Sequence, residues 1–272
     1  MKDSKIPWTD DTFNPWHGCL KISEACDRCY AEMMDKRFGP GHWGPYKVVG
    51  RKFFGEEHWK LPHRWNRRAE REKRRRRVFC GSMCDVMEVG DERLEEERQR
   101  LWQVIQKTPM LDWLLLTKRP ENFYTNYPAA YEEGMPWAKN VWLGVTAENQ
   151  KRADERIPLL LKTPAVVHFV SVEPMLEPVD LRRYLGPQSL SMNTTSYRIH
   201  HGLNWIICGC EKVGNRPGRP MEDAWARDLW RQALAHNIPF FLKQLARDGK
   251  VVETPILDNN TWTDVPDAHR FL

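Results

Sequence analysis

The chain has 272 residues, 41% hydrophobic and 29% charged, with a formal net charge of +5. That balance suits a soluble globular protein with a sizeable core. No run of eighteen apolar residues occurs, and the opening MKDSKIPWTDD lacks an apolar signal core, so neither a membrane span nor a secretory leader is expected. The expected compartment is the cytoplasm. Thiols stay reduced there, so the seven cysteines read first as metal ligands, catalytic thiols or core residues.

In chain order, FNPWHGC (13–19) is a candidate first strand that Pro15 demotes to an edge or strained start. SEACDRCYAEMMDKRFG (23–39) has a helical pattern, with Ser23 as cap and Gly39 as terminator. Residues 64–77, RWNRRAEREKRRRR, hold nine Arg or Lys against Glu70 and Glu72, a local sum of +7. Dense arginine matches phosphate oxygens, so Arg74, Arg75, Arg76 and Arg77 are candidate nucleic-acid contacts. A solvated basic helix or loop is the alternative. Most of the thirteen tryptophans are expected in the core.

Six short apolar runs read as strands covered on both faces: VFCGS (78–82), DWLLLT (112–117), NVWLGVT (140–146), AVVHFVSV (165–172), NWIICG (204–209) and IPFFLK (238–243). Between them lie helical patterns at 91–106, capped by Asp91, at 148–162, bent by Pro158, and at 221–237. The stretch 187–202 is polar and reads as a loop. Strand starts recur at the spacing of βα units, and no glycine fingerprint follows any strand. Six or so such units in series imply either a barrel or a doubly wound sheet, and without a glycine fingerprint the barrel is favoured: the expected fold is an α/β partial (βα)6-type parallel barrel over 1–247. Residues 248–272 are expected to form a short hairpin and tail packed on the same domain.

Cys19, Cys26 and Cys29 are spaced C-x6-C-x2-C. One helical turn separates the last two, and Cys19 precedes the helix, so three thiols are expected at a strand-to-helix loop. In a parallel barrel that is the functional rim. Two metal readings stay open: zinc, with His17 as a fourth ligand, or a four-iron cluster whose fourth iron keeps an open position.

NPWHGC and CDRCYAE resemble the three-cysteine signature of radical S-adenosylmethionine (SAM) enzymes. More closely, TFNPWHGC, CDRCYAE, VFCGSMCDVME, LLLTKRPENF, VWLGVTAENQ, RIPLLLKTPA, FVSVEPMLEPVDL, NWIICGCE, RPMEDAW and PFFLKQ resemble, in order, a phage and bacterial three-Cys-motif family of unknown function. The resemblance implies a partial barrel and a [4Fe-4S] cluster on Cys19, Cys26 and Cys29. SAM would chelate the open iron, and an electron donor would trigger formation of a 5′-deoxyadenosyl radical. The chain departs from the commonest radical-SAM spacing, C-x3-C-x2-C, and has Arg28 where an aromatic often precedes the third cysteine. CYA is locally similar to the spore photoproduct lyases, which points to DNA, RNA or a nucleotide as substrate. A non-catalytic nucleic-acid-binding protein with a structural metal, and a radical enzyme acting on a protein or peptide, are the alternatives.

Strand C-termini supply further candidates. Tyr30, Ser82, Asp85, Lys118, Thr146, Glu148, Ser171 and Glu173 are candidate cofactor contacts. Ser82 and Asp85 would hold the SAM amine and Lys118 its carboxylate. Arg119 and Asn149 are candidate substrate contacts, Arg119 for a phosphate. Cys80 and Cys208 read as core residues, and a second metal site joining Cys84 and Cys210 is the sharper alternative. CGCE departs from the glycine-rich GGES of the family and leaves the role of Glu211 open. No histidine other than His17 shows a ligand spacing.

Overall fold

The computed structural model describes residues 4–37, 39, 41–128, 139–186, 190–192, 198–200 and 202–267. Strand β1 (Asp11–Phe13) stops before Pro15, and β2 (Trp16–His17) pairs antiparallel with β3 (Lys52–Phe53). Between β2 and β3 lie a 3-10 turn at Glu24–Cys26 and helices α1 (Tyr30–Asp35) and α2 (Tyr46–Val49). The helix expected over 23–39 is thus shortened. Cys29 has ψ 118, which is not helical, so the last cysteine stands before α1 as its cap.

Helices α3 (Glu56–Trp59) and α4 (Leu61–Glu72) precede β4 (Arg76–Cys80). Lys73, at φ 50, ends α4 in the left-handed region. The basic run is therefore divided between a helix, a turn and the first residues of a strand. Helix α5 (Glu92–Gln106) starts at Asp91, whose carboxylate accepts from Arg93 N at 3.1 Å and Leu94 N at 3.3 Å. Then come β5 (Leu111–Thr117), α6 (Phe123–Asn126), β6 (Val141–Thr146), α7 (Gln150–Leu161), which contains Pro158, and β7 (Val167–Val172). The segment expected to be a loop at 187–202 carries two paired strands, β8 (Leu190–Met192) and β9 (Arg198–His200), and its residues 187–189, 193–197 and 201 lie outside the described set. The chain closes with β10 (Trp205–Gly209), β11 (Lys212–Val213), β12 (Arg216–Pro217), α8 (Asp223–Ala235), β13 (Phe240–Arg247) and β14 (Lys250–Glu253).

The main sheet has the order β1-β4-β5-β6-β7-β10-β13-β14. All its pairings are parallel except β13–β14, which is a hairpin. Spatial order equals chain order, so successive right-handed crossovers collect the helices on one face. A doubly wound sheet would reverse direction part-way; this one curls into the expected partial barrel. Hairpin β13–β14 straddles the expected boundary at 247, and Trp262 beyond it stacks on Trp230 with ring centroids 4.8 Å apart.

Two apolar clusters cover the two faces of the sheet, which explains the nearly continuous apolar strands. The larger joins strand residues such as Val78, Leu115 and Leu143 to Leu94, Leu101, Ile157 and Leu229 of the helices. The second gathers Trp8, Phe79, Leu114, Trp142, Phe169, Trp205 and Phe241 on the concave face. Each Phe or Leu so buried contributes roughly 1.5–3 kcal/mol. These aromatics sit in the lower, N-terminal half of the concave face. Following the two-residue period upward, the same face passes through small residues, Gly144, Ser171 and Gly209, to the polar residues at the strand C-termini.

Candidate functional site

The cysteine loop lies across that upper rim. Gly18 starts it at φ 113, in a place where any Cβ would collide with the His42 carbonyl. Gly18 N donates to Met83 O at 3.0 Å, which sets the loop beside the segment after β4.

Three carboxylates from the ends of alternate strands, each paired with an arginine, fasten the loop. Asp85, after β4, accepts from Met87 N (3.0 Å), Thr117 Oγ1 (2.6 Å), Lys118 N (3.0 Å) and Arg119 Nη1 (2.9 Å). Arg119 in turn donates from Nη1 to Cys19 Sγ at 3.5 Å and from Nη2 to Leu20 O at 2.6 Å. Glu148, after β6, accepts from Arg156 Nη1 at 2.7 Å and from Ala25 N at 3.3 Å. Glu211, after β10, is clasped by the Arg219 guanidinium and by Arg219 N at 2.7 Å. Arg219 Nη2 reaches the loop at Glu24 O (2.8 Å), and Nη1 approaches Asp27 at 3.5 Å. Gly218 permits this clasp, because a Cβ there would strike the Glu211 carboxylate.

Burial opposes the charge of all three carboxylates, yet the paired arginine and its accompanying hydrogen bonds hold each pKa below the ordinary value. Lys118 is the counterpart. Burial opposes its charge too, but Cys26, Cys29, Glu148 and Asp85 outweigh it and raise its pKa. Burial pushes the Cys19 thiol up to about 12 against the pull of Arg119.

Several expectations are corrected here. Asp85 does not offer a carboxylate to the SAM amine, since four donors already converge on it. Arg119 is 6% exposed and committed to Asp85, Cys19 and Leu20, so it is not a phosphate contact. Glu148 anchors the loop, and Asn149 caps α7 by accepting from Arg152 N at 2.9 Å. Arg74–Arg77 lie at the N-terminal end of β4, the opposite end from the cysteines. Each pairs there with a carboxylate: Arg74 with Asp10 at 2.9 Å, Arg75 with Asp112 at 2.7 Å, Arg76 with Asp11 at 2.8 Å and Arg77 with Asp10 at 3.9 Å. Arg76, with its side chain 2% exposed, is a core residue.

The remaining candidates line the rim. Tyr30 OH donates to Ser82 O at 2.8 Å, and Ser82 Oγ accepts from Asn14 Nδ2 at 3.0 Å. Thr146 and Ser171 are register partners on the concave face. Glu173 pairs with Lys243 of β13. Asn14, Arg156, Arg219 and Lys243 went unnoticed in the sequence. Arg156 and Arg219 each stand eight residues after their carboxylate, a spacing too common to attract attention.

Among the described residues, His17 joins no group of side chains that could hold a metal ion. Its ring packs edge-on against Phe54, with centroids 4.8 Å apart, and burial together with Lys52 lowers its pKa to about 4. Among the described residues, no three Cys, His, Asp or Glu side chains converge on one metal-ion position. A mononuclear zinc site needs such convergence. A four-iron cluster does not, because each thiolate ligates a different iron. Three thiols on one anchored loop, with Lys118 and Arg119 beside them to offset negative charge, fit that cluster. Cys80, Cys84, Cys208 and Cys210 are all buried among their own neighbours. Burial raises the pKa of each, and Cys208 Sγ contacts Met175 Sδ at 3.8 Å while Cys84 Sγ faces Asn14 Oδ1 at 3.9 Å.

Two solved structures of spore photoproduct lyase are similar to this chain. One, a double mutant with bound AdoMet and dinucleoside spore photoproduct, is 11% identical over 92% of this chain and 69% of its own, with a TM-score of 0.43. The other, a single cysteine-to-serine mutant, is 12% identical over 92% of this chain and 69% of its own, with a TM-score of 0.46. No curated protein matches the sequence. The sequence profile of one family runs through the whole cysteine loop and all three of its anchors, from residue 3 to residue 266, and the chain belongs to that family, described as "Protein of unknown function (DUF5131)".

Proposed function

We propose that this protein is a radical SAM enzyme acting on a nucleic acid or nucleotide. The observation that carries the reading is the anchored loop of Cys19, Cys26 and Cys29 on the C-terminal rim of a parallel partial barrel. A bound cluster and SAM would supply one-electron cleavage and hydrogen-atom abstraction, which no side chain provides. The protein's part is to hold and shield them. The three thiols would bind the cluster. Lys118 forms no ion pair among the described residues and is available to a carboxylate. Thr146, Ser171, Glu173 and Lys243 offer hydrogen bonds on the concave face above an aromatic floor that excludes water.

The substrate half of the reading rests on a basic crevice on the same rim. Hairpins β11–β12 and β13–β14 enclose about 510 Å³ lined by Lys212, Arg216, Asp248 and Lys250. Arg216 and Lys250 form no ion pair among the described residues, unlike Arg74–Arg77. Unpaired cations are available to backbone phosphates.

Oxygen-free purification followed by iron, sulfide and zinc analysis tests the first half. Several irons per chain, and 5′-deoxyadenosine on adding SAM and a reductant, are expected. A colourless protein with one zinc and no 5′-deoxyadenosine overturns it. For the second half, oligonucleotide binding is measured against salt. Reversing Arg216 and Lys250 to Glu should lower the salt slope by about 2. Reversing Arg71 and Lys73 on the far side should leave it unchanged. The opposite pattern moves the interface to the arginine run, and no binding at low salt removes nucleic acid as substrate.

A further inference from the structure

Arg119 is the sole arginine among the described residues with a hydrogen bond to a cysteine sulfur, Nη1 to Cys19 Sγ at 3.5 Å. The contact is built rather than incidental. Arg119 N donates to Thr117 Oγ1 at 2.9 Å, and the Thr117 hydroxyl donates to Asp85 at 2.6 Å. Asp85 then accepts from Arg119 Nη1 at 2.9 Å, while Nη2 is aimed at Leu20 O at 2.6 Å, one residue past the cysteine. A closed ring of hydrogen bonds across the ends of β4 and β5 therefore fixes the guanidinium before any cofactor binds. Asp85 is 6% exposed and Arg119 6%, so little solvent competes for these bonds.

A thiolate ligand shares its negative charge with the iron it binds. A cationic donor on that sulfur stabilises the more negative, reduced cluster more than the oxidised one. Resting on the cluster reading above, we infer that Arg119 is a positioning and tuning residue. It seats Cys19 for ligation and raises the reduction potential of the cluster, so that a donor of moderate strength can reduce it. Arg219 is the natural control. It holds the same loop through Glu24 O and Asp27 but has no hydrogen bond to a cysteine sulfur.

The test compares wild type, Arg119→Gln, Arg119→Lys, Thr117→Val and Arg219→Gln after oxygen-free reconstitution. Iron per chain is measured, and the midpoint potential of the loaded fraction is read by spectroscopic redox titration. Arg119→Gln should shift the midpoint to more negative values by a tenfold change in the reduction equilibrium, about 59 mV for one electron. Thr117→Val, which only misaims the guanidinium, should shift it less in the same direction, and Arg119→Lys should restore part of it. Arg219→Gln should lower iron loading without moving the midpoint. An Arg119→Gln midpoint equal to that of wild type overturns the tuning role, and where Arg119→Gln does not fold, a Thr117→Val midpoint equal to that of wild type overturns it. A wild type that takes up no cluster overturns the cluster reading itself, which is a separate outcome.

Discussion

The two ends of the sheet are both rich in arginine–carboxylate pairs, and they use them differently. At the N-terminal end, Arg74–Arg77 pair with Asp10, Asp11 and Asp112, residues of the neighbouring strands or next to them. These pairs join strand to strand. At the C-terminal end, Asp85, Glu148 and Glu211 pair with Arg119, Arg156 and Arg219, and each pair also grips the backbone of the cysteine loop. These pairs join a loop to the sheet. The same chemistry secures the scaffold at one end and aims reactive groups at the other. The most basic segment thus lies at the end opposite the cysteines, and its terminal arginines are already paired.

The comparison breaks first at the cysteines. Cys26→Ala should lower iron per chain by more than about 10-fold, beyond what loss of a supporting hydrogen bond does. Cys84→Ala should leave iron content unchanged. If both variants keep their iron, the loop is not the metal-binding end.

The next largest effect is on stability. Arg76→Ala leaves Asp11 buried without that partner and should cost roughly 3–5 kcal/mol in urea denaturation. Arg74→Ala, at an exposed pair, should cost about 0–1 kcal/mol. Neither should change iron per folded chain, because neither touches the loop. A loss of iron in folded Arg76→Ala would mean that the two ends are coupled.

The smallest effect is on pH dependence. Burial lowers the His17 pKa from 6.5 to about 4, so the folded protein favours the neutral ring. Between those values the unfolded chain binds the additional proton. The contribution of His17 is thus full above pH 6.5 and is lost as pH falls toward 4. His17→Phe keeps the contact with Phe54 and should flatten the urea midpoint in that window. An unchanged slope would show that His17 is solvated in the folded protein.

The six-residue interval between Cys19 and Cys26 becomes intelligible in these terms. The loop has to pass from the Arg119 anchor, which holds Leu20 O, to the Glu148 anchor, which holds Ala25 N. A three-residue interval would leave out the 3-10 turn at Glu24–Cys26 that presents that N–H.

The strands were legible in the sequence because short apolar runs at βα spacing follow from burial on both faces, a property each segment carries by itself. The three cysteines were legible because thiols so closely spaced are kept together by the chain, whatever the fold around them. The helix over 23–39 was misread, since its polar and apolar residues suit a helix while the backbone at Cys29 does not adopt one. The ion-pair partners of Arg119 and of the arginine run were not legible for a different reason. An arginine's role depends on which carboxylate lies opposite it, and that is decided by strand order and register. Arg219 and Glu24 meet across 195 residues of chain. The sequence by itself determined the parallel sheet and the cysteine cluster, both products of local spacing and composition. Only the tertiary structure decided which end of the sheet carries the loop's anchors and which charged groups remain free. Coulombic pairing depends on distance in space, and the order of residues along the chain does not reveal it.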